Sequence, residues 1–377
     1  MRGLVLAVAL VASAPLPAAA QAPIDPRATA ETKALFANMR TLAQRGVMFG
    51  HQNTLAYGYS WTGEPDRSDI RDVTGSYPAV YGWDVMDIFT GGRFDPAKAA
   101  RLRAWVAQAH GRGGVNSFSW HMDNPVTKGN AWDKTPAVAA IVPGGRLHAD
   151  YAATLDVVAR FFASLKDAKG RPIPVWFRPF HEHTGDWFWW GKPNADAAGY
   201  KALWRYTVEH LRDRRGVHNL LWAYSTDVFD SDAAYFEYYP GDGYADMLGY
   251  DDYHSIRTAA TRATFAARLA NLTKWSARRG KIAALTETGV EALPDPTWWT
   301  NVLLPVLREP ASRGISYVLV WRNANPANDR KDHFYAPYRG QASAADFVRF
   351  HADPLTLFED DLPALYATPA KKRRPPR

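Results

Sequence analysis

The feature that most constrains the fold is a regular alternation of short β-branched or aromatic runs with longer stretches of helical spacing. We predict eight strands, over residues 47–51, 79–85, 114–121, 175–182, 219–225, 247–253, 282–289 and 317–323. Strands that alternate with helices run parallel, because each helix carries the chain back across the sheet. Eight such units predict a closed (β/α)8 TIM barrel, and a doubly wound open sheet is the rival fold.

The barrel is expected to be one domain over residues 21–366. Between residues 25 and 366 we find no internal repeat, low-complexity block or Ser/Gly linker. The helical stretches carry their own boundary signals: Asp95 and Pro96 suit the start of one helix, and the glycines from Gly111 suit its end.

The two ends of the chain differ in composition from this domain. Residues 1–20 combine Arg2, an apolar run and a small-residue triplet, which is the layout of a secretory signal peptide. Residues 367–377 hold five of the positive charges that make up the net charge of +7 and predict a basic disordered tail. The remaining body is close to neutral, so we expect no nucleic-acid partner and no binding to an anionic membrane.

The chain has no cysteine. Thiol nucleophiles, Cys-ligated metals and a disulfide framework are therefore excluded. Together with the predicted signal peptide, and with no apolar segment long enough to span a membrane, this composition predicts a secreted or periplasmic protein. We expect a monomer that needs no cofactor.

Active sites of this fold lie at the carboxyl ends of the strands. Two glutamates occur there, Glu182 at the end of the fourth predicted strand and Glu287 at the end of the seventh, so they should face each other across the barrel mouth. Cleavage of a glycosidic bond needs two carboxyl groups, one to protonate the leaving oxygen and one to attack or stabilise the anomeric carbon. The pair therefore predicts a glycoside hydrolase, although either glutamate alone could simply pair with a buried arginine.

The surroundings of the two glutamates predict different roles. Glu182 precedes an aromatic run that contains Trp187 and Phe188, and apolar surroundings raise the pKa of a carboxyl group as a general acid requires. Glu287 has hydrogen-bond donors nearby, and Arg178 or Arg322 could favour its ionised form.

Aromatic and polar residues crowd the same strand ends. Tryptophans at a cleft rim can stack on the apolar faces of sugar rings, and we select Trp132, Trp187 and Trp321. Asp251 and Tyr253 lie two apart and so point the same way: the aspartate could hold a sugar hydroxyl, and the tyrosine could orient the nucleophile.

Histidines at strand ends raise the alternative of a catalytic metal. The most metal-like fragment is His181-x-His183. Glu182 interrupts it, and no Cys or cluster of Asp completes a ligand set, so we predict no metal site.

These motifs together resemble glycoside hydrolase family 26, whose main activity is endo-β-1,4-mannanase. The segment RPFHEHTGDWFWWG is similar to the family's acid/base motif and LTETG to its nucleophile segment. Further similarities are GHQ near the start, SWHMDNP, GYDDY and VWRNA, in the family's order from residue 49 to 324.

The resemblance implies a (β/α)8 barrel with the two glutamates on strands four and seven, and a retaining mechanism through a covalent glycosyl-enzyme intermediate. It implies Glu182 as acid/base, Glu287 as nucleophile and Tyr253 beside the nucleophile. It further implies roles in substrate binding for His121, His181, Trp187, Trp321 and Arg322, and Trp132, Phe188 and Asp251 complete the predicted substrate-binding residues.

The expected substrate is a neutral β-mannan, galactomannan or glucomannan. Mixed-linkage β-glucan, β-1,3-xylan and a non-catalytic glycan-binding barrel remain alternatives. One departure from the family pattern is His183-Thr184 after the acid/base glutamate, which we expect to alter contacts around the leaving sugar.

Overall fold

A computed structural model describes residues 22–368. The predicted signal peptide, residues 1–20, and residues 369–377 of the predicted tail lie outside this range. Within it, no helix combines the length and the apolar character needed to cross a membrane.

Eight parallel strands form one closed sheet. They are β1 Val47–Gln52, β2 Val80–Asp84, β3 Val115–Trp120, β4 Val175–Pro179, β5 Leu220–Thr226, β6 Met247–Asp252, β7 Ile282–Thr288 and β8 Ile315–Val320. Each strand pairs with the next, and β8 pairs with β1 from Met48 opposite Tyr317 to His51 opposite Val320. The last pairing closes the sheet, so the prediction of a (β/α)8 barrel is confirmed and the open doubly wound sheet is wrong.

Ten α-helices cover the barrel in the described part of the chain. They are α1 Ala30–Leu42, α2 Asp69–Thr74, α3 Pro96–Gly111, α4 Val138–Ile141, α5 His148–Ala163, α6 Ala197–Glu209, α7 Asp232–Phe236, α8 Arg262–Arg279, α9 Leu304–Arg308 and α10 Ala344–His351. The predicted start of α3 is confirmed, since the Asp95 carboxylate accepts from the backbone N–H groups of Ala97 and Lys98, and Pro96 occupies the first turn.

Two apolar layers hold the barrel in shape. The larger lies between the strands and the outer helices. The smaller lies inside the barrel at its amino end, where Leu35, Phe36 and Met39 of α1 pack against inward-facing strand residues such as Met247 and Tyr317. Helix α1 therefore closes the bottom of the barrel, and the carboxyl ends of the strands form the open mouth.

Two strands end three residues earlier than their sequence pattern predicts. Strand β4 stops at Pro179 rather than at residue 182, and β8 stops at Val320 rather than at 323. In both places the aromatic and polar residues that extended the predicted strand leave the ladder and turn onto the rim. Glu182, Trp321 and Arg322 accordingly lie in loops at the mouth.

Candidate active site

Glu182 and Glu287 meet at the barrel mouth. They are 8% and 3% exposed, and a carboxylate oxygen of each lies within 4.8 Å of the other and of an oxygen of Asp251. Carboxyl groups of retaining glycosidases are about 5–5.5 Å apart, against about 6.5–9.5 Å in inverting enzymes. The observed spacing favours direct attack by one carboxylate over activation of an intervening water.

A strained turn places Glu182. Phe180 and Glu182 have φ angles of 51° and 54°, a left-handed conformation that costs a non-glycine residue about 1–3 kcal/mol. The Glu182 N–H donates to the carbonyl of Ser225 at 3.2 Å, and the Glu182 carbonyl accepts from Gly185 at 2.9 Å. These bonds fix the turn against β5 and direct the carboxyl group into the mouth.

The surroundings of the Glu182 carboxyl group favour its protonated form. Burial raises its pKa well above the usual range, and the charges of Asp251 and Asp227 raise it further. The indole N–H of Trp187 donates to Glu182 Oε2 at 2.7 Å and partly opposes this shift. A buried carboxyl that keeps its proton near neutral pH is suited to act as a general acid.

Glu287 has a different environment, because its carboxylate is surrounded by donors. Arg178 forms an ion pair with Oε1, and the Tyr253 hydroxyl donates to Oε2 at 3.0 Å. Of the two arginines proposed from the sequence, Arg178 is therefore the partner. Arg322 instead binds Asp329 at 2.7 Å.

Asp251 binds Arg178 and helps to hold it in position. Its Oδ2 accepts from Arg178 at 2.7 Å and its Oδ1 accepts from the Thr286 hydroxyl at 2.6 Å. Since Asp251 is 0% exposed, the expectation that it holds a sugar hydroxyl is wrong. Burial raises the pKa of Asp251, although Arg178 opposes that shift.

Replacing Arg178 by methionine is expected to lower the free energy of unfolding by about 3–5 kcal/mol, because two buried carboxylates would lose their counter-charge. Urea unfolding at neutral pH measures the change. Arg27→Met is the matched control, since Arg27 and its partner Asp213 are both largely exposed and such pairs contribute about 1 kcal/mol or less. Equal losses in the two variants would contradict the assignment.

A second group of side chains lines the opposite wall. The His121 Nδ1 lies 2.5 Å from Asp84 Oδ2, and its backbone N–H also donates to Asp84. Although burial alone would raise the pKa of Asp84, its contacts with His121 hold that pKa below the usual value. The ring of His121 stacks on Trp132 at 5.2 Å and approaches Trp321 at 5.7 Å.

Exposure divides the aromatic candidates into two kinds. Trp132 is 54% exposed, and Trp187 and Trp321 are half-buried, so all three present ring surface at the mouth. Phe188 is only 2% exposed and packs between Trp132 and His181. It supports the rim rather than forming its surface.

Two histidines flank Glu182 in sequence but differ in position. His181 contacts His121 edge to face at 4.6 Å, and neither of its ring nitrogens has a hydrogen-bond partner in the described residues. His183 points away from the mouth, where its Nε2 lies 3.0 Å from the Tyr224 hydroxyl. The expectation that His183 alters contacts around the leaving sugar is therefore wrong.

Burial keeps both histidines neutral. It lowers the pKa of His181 well below the usual value and that of His183 to about 3. In the described residues, the carboxylate and imidazole atoms close enough to share an ion belong to Glu182, Asp251 and Glu287, so the histidine pair does not contribute to such a group. Arg178 already forms ion pairs with two of these carboxylates.

Sequence reasoning missed two further contacts. The first is the pair of Asp84 and His121, which a carboxylate at the end of β2 and a histidine directly after β3 could have suggested. Tyr335, from the loop after β8, lies 5.7 Å from the ring of Tyr253. No pattern in the sequence signals this second contact.

The comparisons with known proteins agree with this geometry. Residues 24–300 match the sequence profile of Glycosyl hydrolase family 26. A mannan endo-1,4-beta-mannosidase of Bifidobacterium adolescentis is 34% identical over 347 residues, which cover 86% of this chain and 34% of that protein. This chain thus spans about a third of the length of that relative.

Solved structures cover the whole fold. A family 26 beta-mannanase from Bacteroides ovatus is 42% identical and superposes with a TM-score of 0.85 over 92% of this chain and 100% of its own. A modular endo-beta-1,4-mannanase from Cellulomonas fimi is 34% identical, with a TM-score of 0.85 over 92% of this chain and 79% of its own.

Proposed function

The chain belongs to glycosyl hydrolase family 26, and on that premise we propose that it cleaves β-1,4-mannosidic linkages in mannan, galactomannan or glucomannan with retention of configuration. The observation that carries the proposal is the close pair of Glu182 and Glu287: burial raises the pKa of Glu182, and Glu287 is ion-paired with Arg178. The names of the relatives support mannan as the substrate.

In the first step Glu287 attacks the anomeric carbon as the bond to the leaving oxygen breaks. Glu182 gives its proton to that oxygen, and a covalent glycosyl-enzyme ester forms. Tyr253 and Arg178 each bind one oxygen of Glu287 and so hold the carboxylate in one orientation for attack.

In the second step water attacks the anomeric carbon and the ester bond to Glu287 breaks. Glu182, now ionised, takes a proton from that water and returns to its starting state. Two inversions at one carbon give net retention. The different environments of the two glutamates suit the acid/base role of Glu182 and the nucleophilic role of Glu287.

The wall opposite the glutamates would bind the sugars. Trp132, Trp187 and Trp321 offer ring surface to the apolar faces of pyranoses. His121, oriented by Asp84, can form a hydrogen bond with a sugar hydroxyl. His181 is buried beside it and stays a candidate, because its ring nitrogens have no partner among residues 22–368. Arg322 stays a candidate at the edge of the mouth, where it lies over the ring of Tyr57.

A product panel tests the substrate. We expect reducing sugar from mannan, glucomannan and galactomannan, and little from mixed-linkage β-glucan or β-1,3-xylan. Preferential cleavage of either of the last two would overturn mannan as the substrate while keeping the mechanism. Binding without turnover on every glycan would instead favour a non-catalytic barrel.

Export to the periplasm or the medium is part of the proposal. It depends on the signal-peptide pattern of residues 1–20, and the mass of the mature protein should correspond to a chain that begins at Gln21. A monomer is expected in solution, and light scattering measures this.

Replacing Trp187 by phenylalanine should move the alkaline limb of the pH profile of kcat/KM to higher pH. The indole N–H stabilises the ionised form of Glu182, so its loss raises the pKa of the general acid. Activity at high pH falls when this acid loses its proton, and a higher pKa delays that fall.

Trp132→Phe is the matched control for this change, because within residues 22–368 no hydrogen bond joins the Trp132 side chain to either glutamate. We expect a higher KM in that variant with the limb unmoved. A limb that stays in place or moves to lower pH in Trp187→Phe would contradict the role given to its N–H.

A further inference from the structure

A second cavity lies on the outer side of the barrel, apart from the catalytic mouth. It has a volume of about 440 Å³, within the range of about 300–1,000 Å³ typical of small-molecule sites. Its walls come from the loop after β2, the loop after β3 and the first turns of α5. None of the residues we place in the active site lines it.

The floor of this cavity is apolar and includes the indole ring of Trp120. Trp120 is fully buried and packs against Phe177 and Phe180 in the layer between barrel and helices. Its indole N–H has no hydrogen-bond partner in the described residues. A buried N–H without a partner costs about 1–3 kcal/mol, so a ligand oxygen would relieve a real deficit.

Four charged side chains surround the opening. They are Arg93, Asp123, Lys128 and Asp150. No ion pair or side-chain hydrogen bond involves any of them among residues 22–368, although surface charges of this protein are commonly paired. Partial burial raises the pKa of Asp123. Two acids and two bases leave the rim with no net charge.

The shape of the opening follows from a tight hairpin. Phe89–Thr90 pairs with Arg93–Phe94, and the two glycines between them have φ angles of 54° and 72°. Such Gly-Gly turns suit two-residue hairpins. The turn adds no side chain to the rim, which leaves the cavity open beside Arg93.

This combination of features fits a neutral sugar. The apolar floor, where the partly exposed Met86 lies with Phe89 and Met122 beside the fully buried Trp120, suits the C–H groups of a pyranose. Unpaired carboxylates and cations around it suit hydroxyl groups, which both donate and accept. A charged ligand would bring its charge close to the two side chains of the rim that carry the same sign.

We propose that this cavity is a second glycan site, which binds a mannopyranosyl unit of the polysaccharide and holds the chain beside the catalytic mouth. The substrate class rests on the proposed function. A second point of attachment raises the effective concentration of an insoluble chain at the cleft, but adds nothing for a free oligosaccharide too short to reach both sites.

The test uses two cavity variants, the double substitution Arg93→Ala/Asp150→Ala and the single substitution Trp120→Phe. Their control is the double substitution Arg101→Ala/Asp360→Ala. The control removes the same charges from exposed positions outside the cavity. All are made in the full chain, and thermal melting confirms folding. In a Glu287→Gln background, pull-down on insoluble mannan should show affinity reduced at least about fivefold in both cavity variants and unchanged in the control.

In the active background, kcat/KM on β-1,4-mannopentaose should stay within twofold while the rate on insoluble mannan falls. The proposal is wrong if the cavity variants bind insoluble mannan like their parent, or if cleavage of mannopentaose falls in proportion. Failure of the unsubstituted protein to cleave mannopentaose would instead count against the proposed function. The same pull-down on insoluble β-glucan then tests the cavity alone, and equal binding by all variants would overturn it.

Discussion

Glu287→Gln is expected to reduce hydrolysis of mannan by at least about 10⁴-fold, because the amide cannot form the ester intermediate on which double displacement depends. Glutamine keeps the shape of the side chain and can still accept from Tyr253, which donates to Glu287 at 3.0 Å. The variant should therefore fold and bind substrate. Initial rates of reducing-sugar release, with circular dichroism as the check on folding, measure the effect.

Glu291→Gln provides the matched control for this loss. Glu291 lies four residues later, in the loop after the same strand, and accepts from Arg330 and His333 outside the catalytic pair. We expect activity within a few-fold of the unsubstituted protein. Residual activity above about 1% in Glu287→Gln would contradict its role as the nucleophile.

Glu182→Ala is expected to lower kcat on mannan by about 10²–10⁴-fold, the usual contribution of general acid catalysis. A sugar alkoxide is a poor leaving group and needs the proton that Glu182 holds. A dinitrophenyl β-mannoside needs no such proton, so its first step should be nearly unaffected. Stopped-flow release of dinitrophenol would then appear as a burst, followed by slow turnover because the base for the second step is missing.

Azide separates this role from a structural one. A small anion can enter the space left by the Glu182 side chain and attack the glycosyl-enzyme without a base, which should restore turnover and yield a β-mannosyl azide. Glu237→Ala, at a half-exposed ion pair with Lys192, should show neither the burst nor the rescue. Equal losses on both substrates in Glu182→Ala would contradict the acid/base assignment.

The architecture could be predicted from the sequence because strands and helices differ in period and their alternation is unbroken. The order of the predicted strands alone predicts that Glu182 and Glu287 lie at one rim of the barrel. Strand ends were less certain: an apolar run continues past Pro179, but Phe180 turns into a left-handed conformation. Hydrophobicity records burial, and it does not distinguish a buried strand from a buried turn.

Pairings across the barrel could not be predicted. Arg178 and Arg322 were equivalent candidates for Glu287, and only the fold shows that Arg178 reaches it while Arg322 binds Asp329. Asp251 lies two residues before Tyr253 and His183 follows Glu182 in the sequence, yet both are buried: Asp251 binds Arg178 beside the catalytic pair, and His183 contacts Tyr224 away from the mouth. Contacts between residues far apart in the chain depend on side-chain direction, which periodicity alone gives only within one element.

The most direct test of the central claim is the configuration of the first-formed product. Proton NMR of a mannopentaose digest, recorded within the first minutes, distinguishes the anomers before mutarotation mixes them. Attack by Glu287 followed by water predicts that the β-anomer appears first at the new reducing end. Initial appearance of the α-anomer would show inversion and contradict the assignment of Glu287 as a nucleophile beside the acid Glu182.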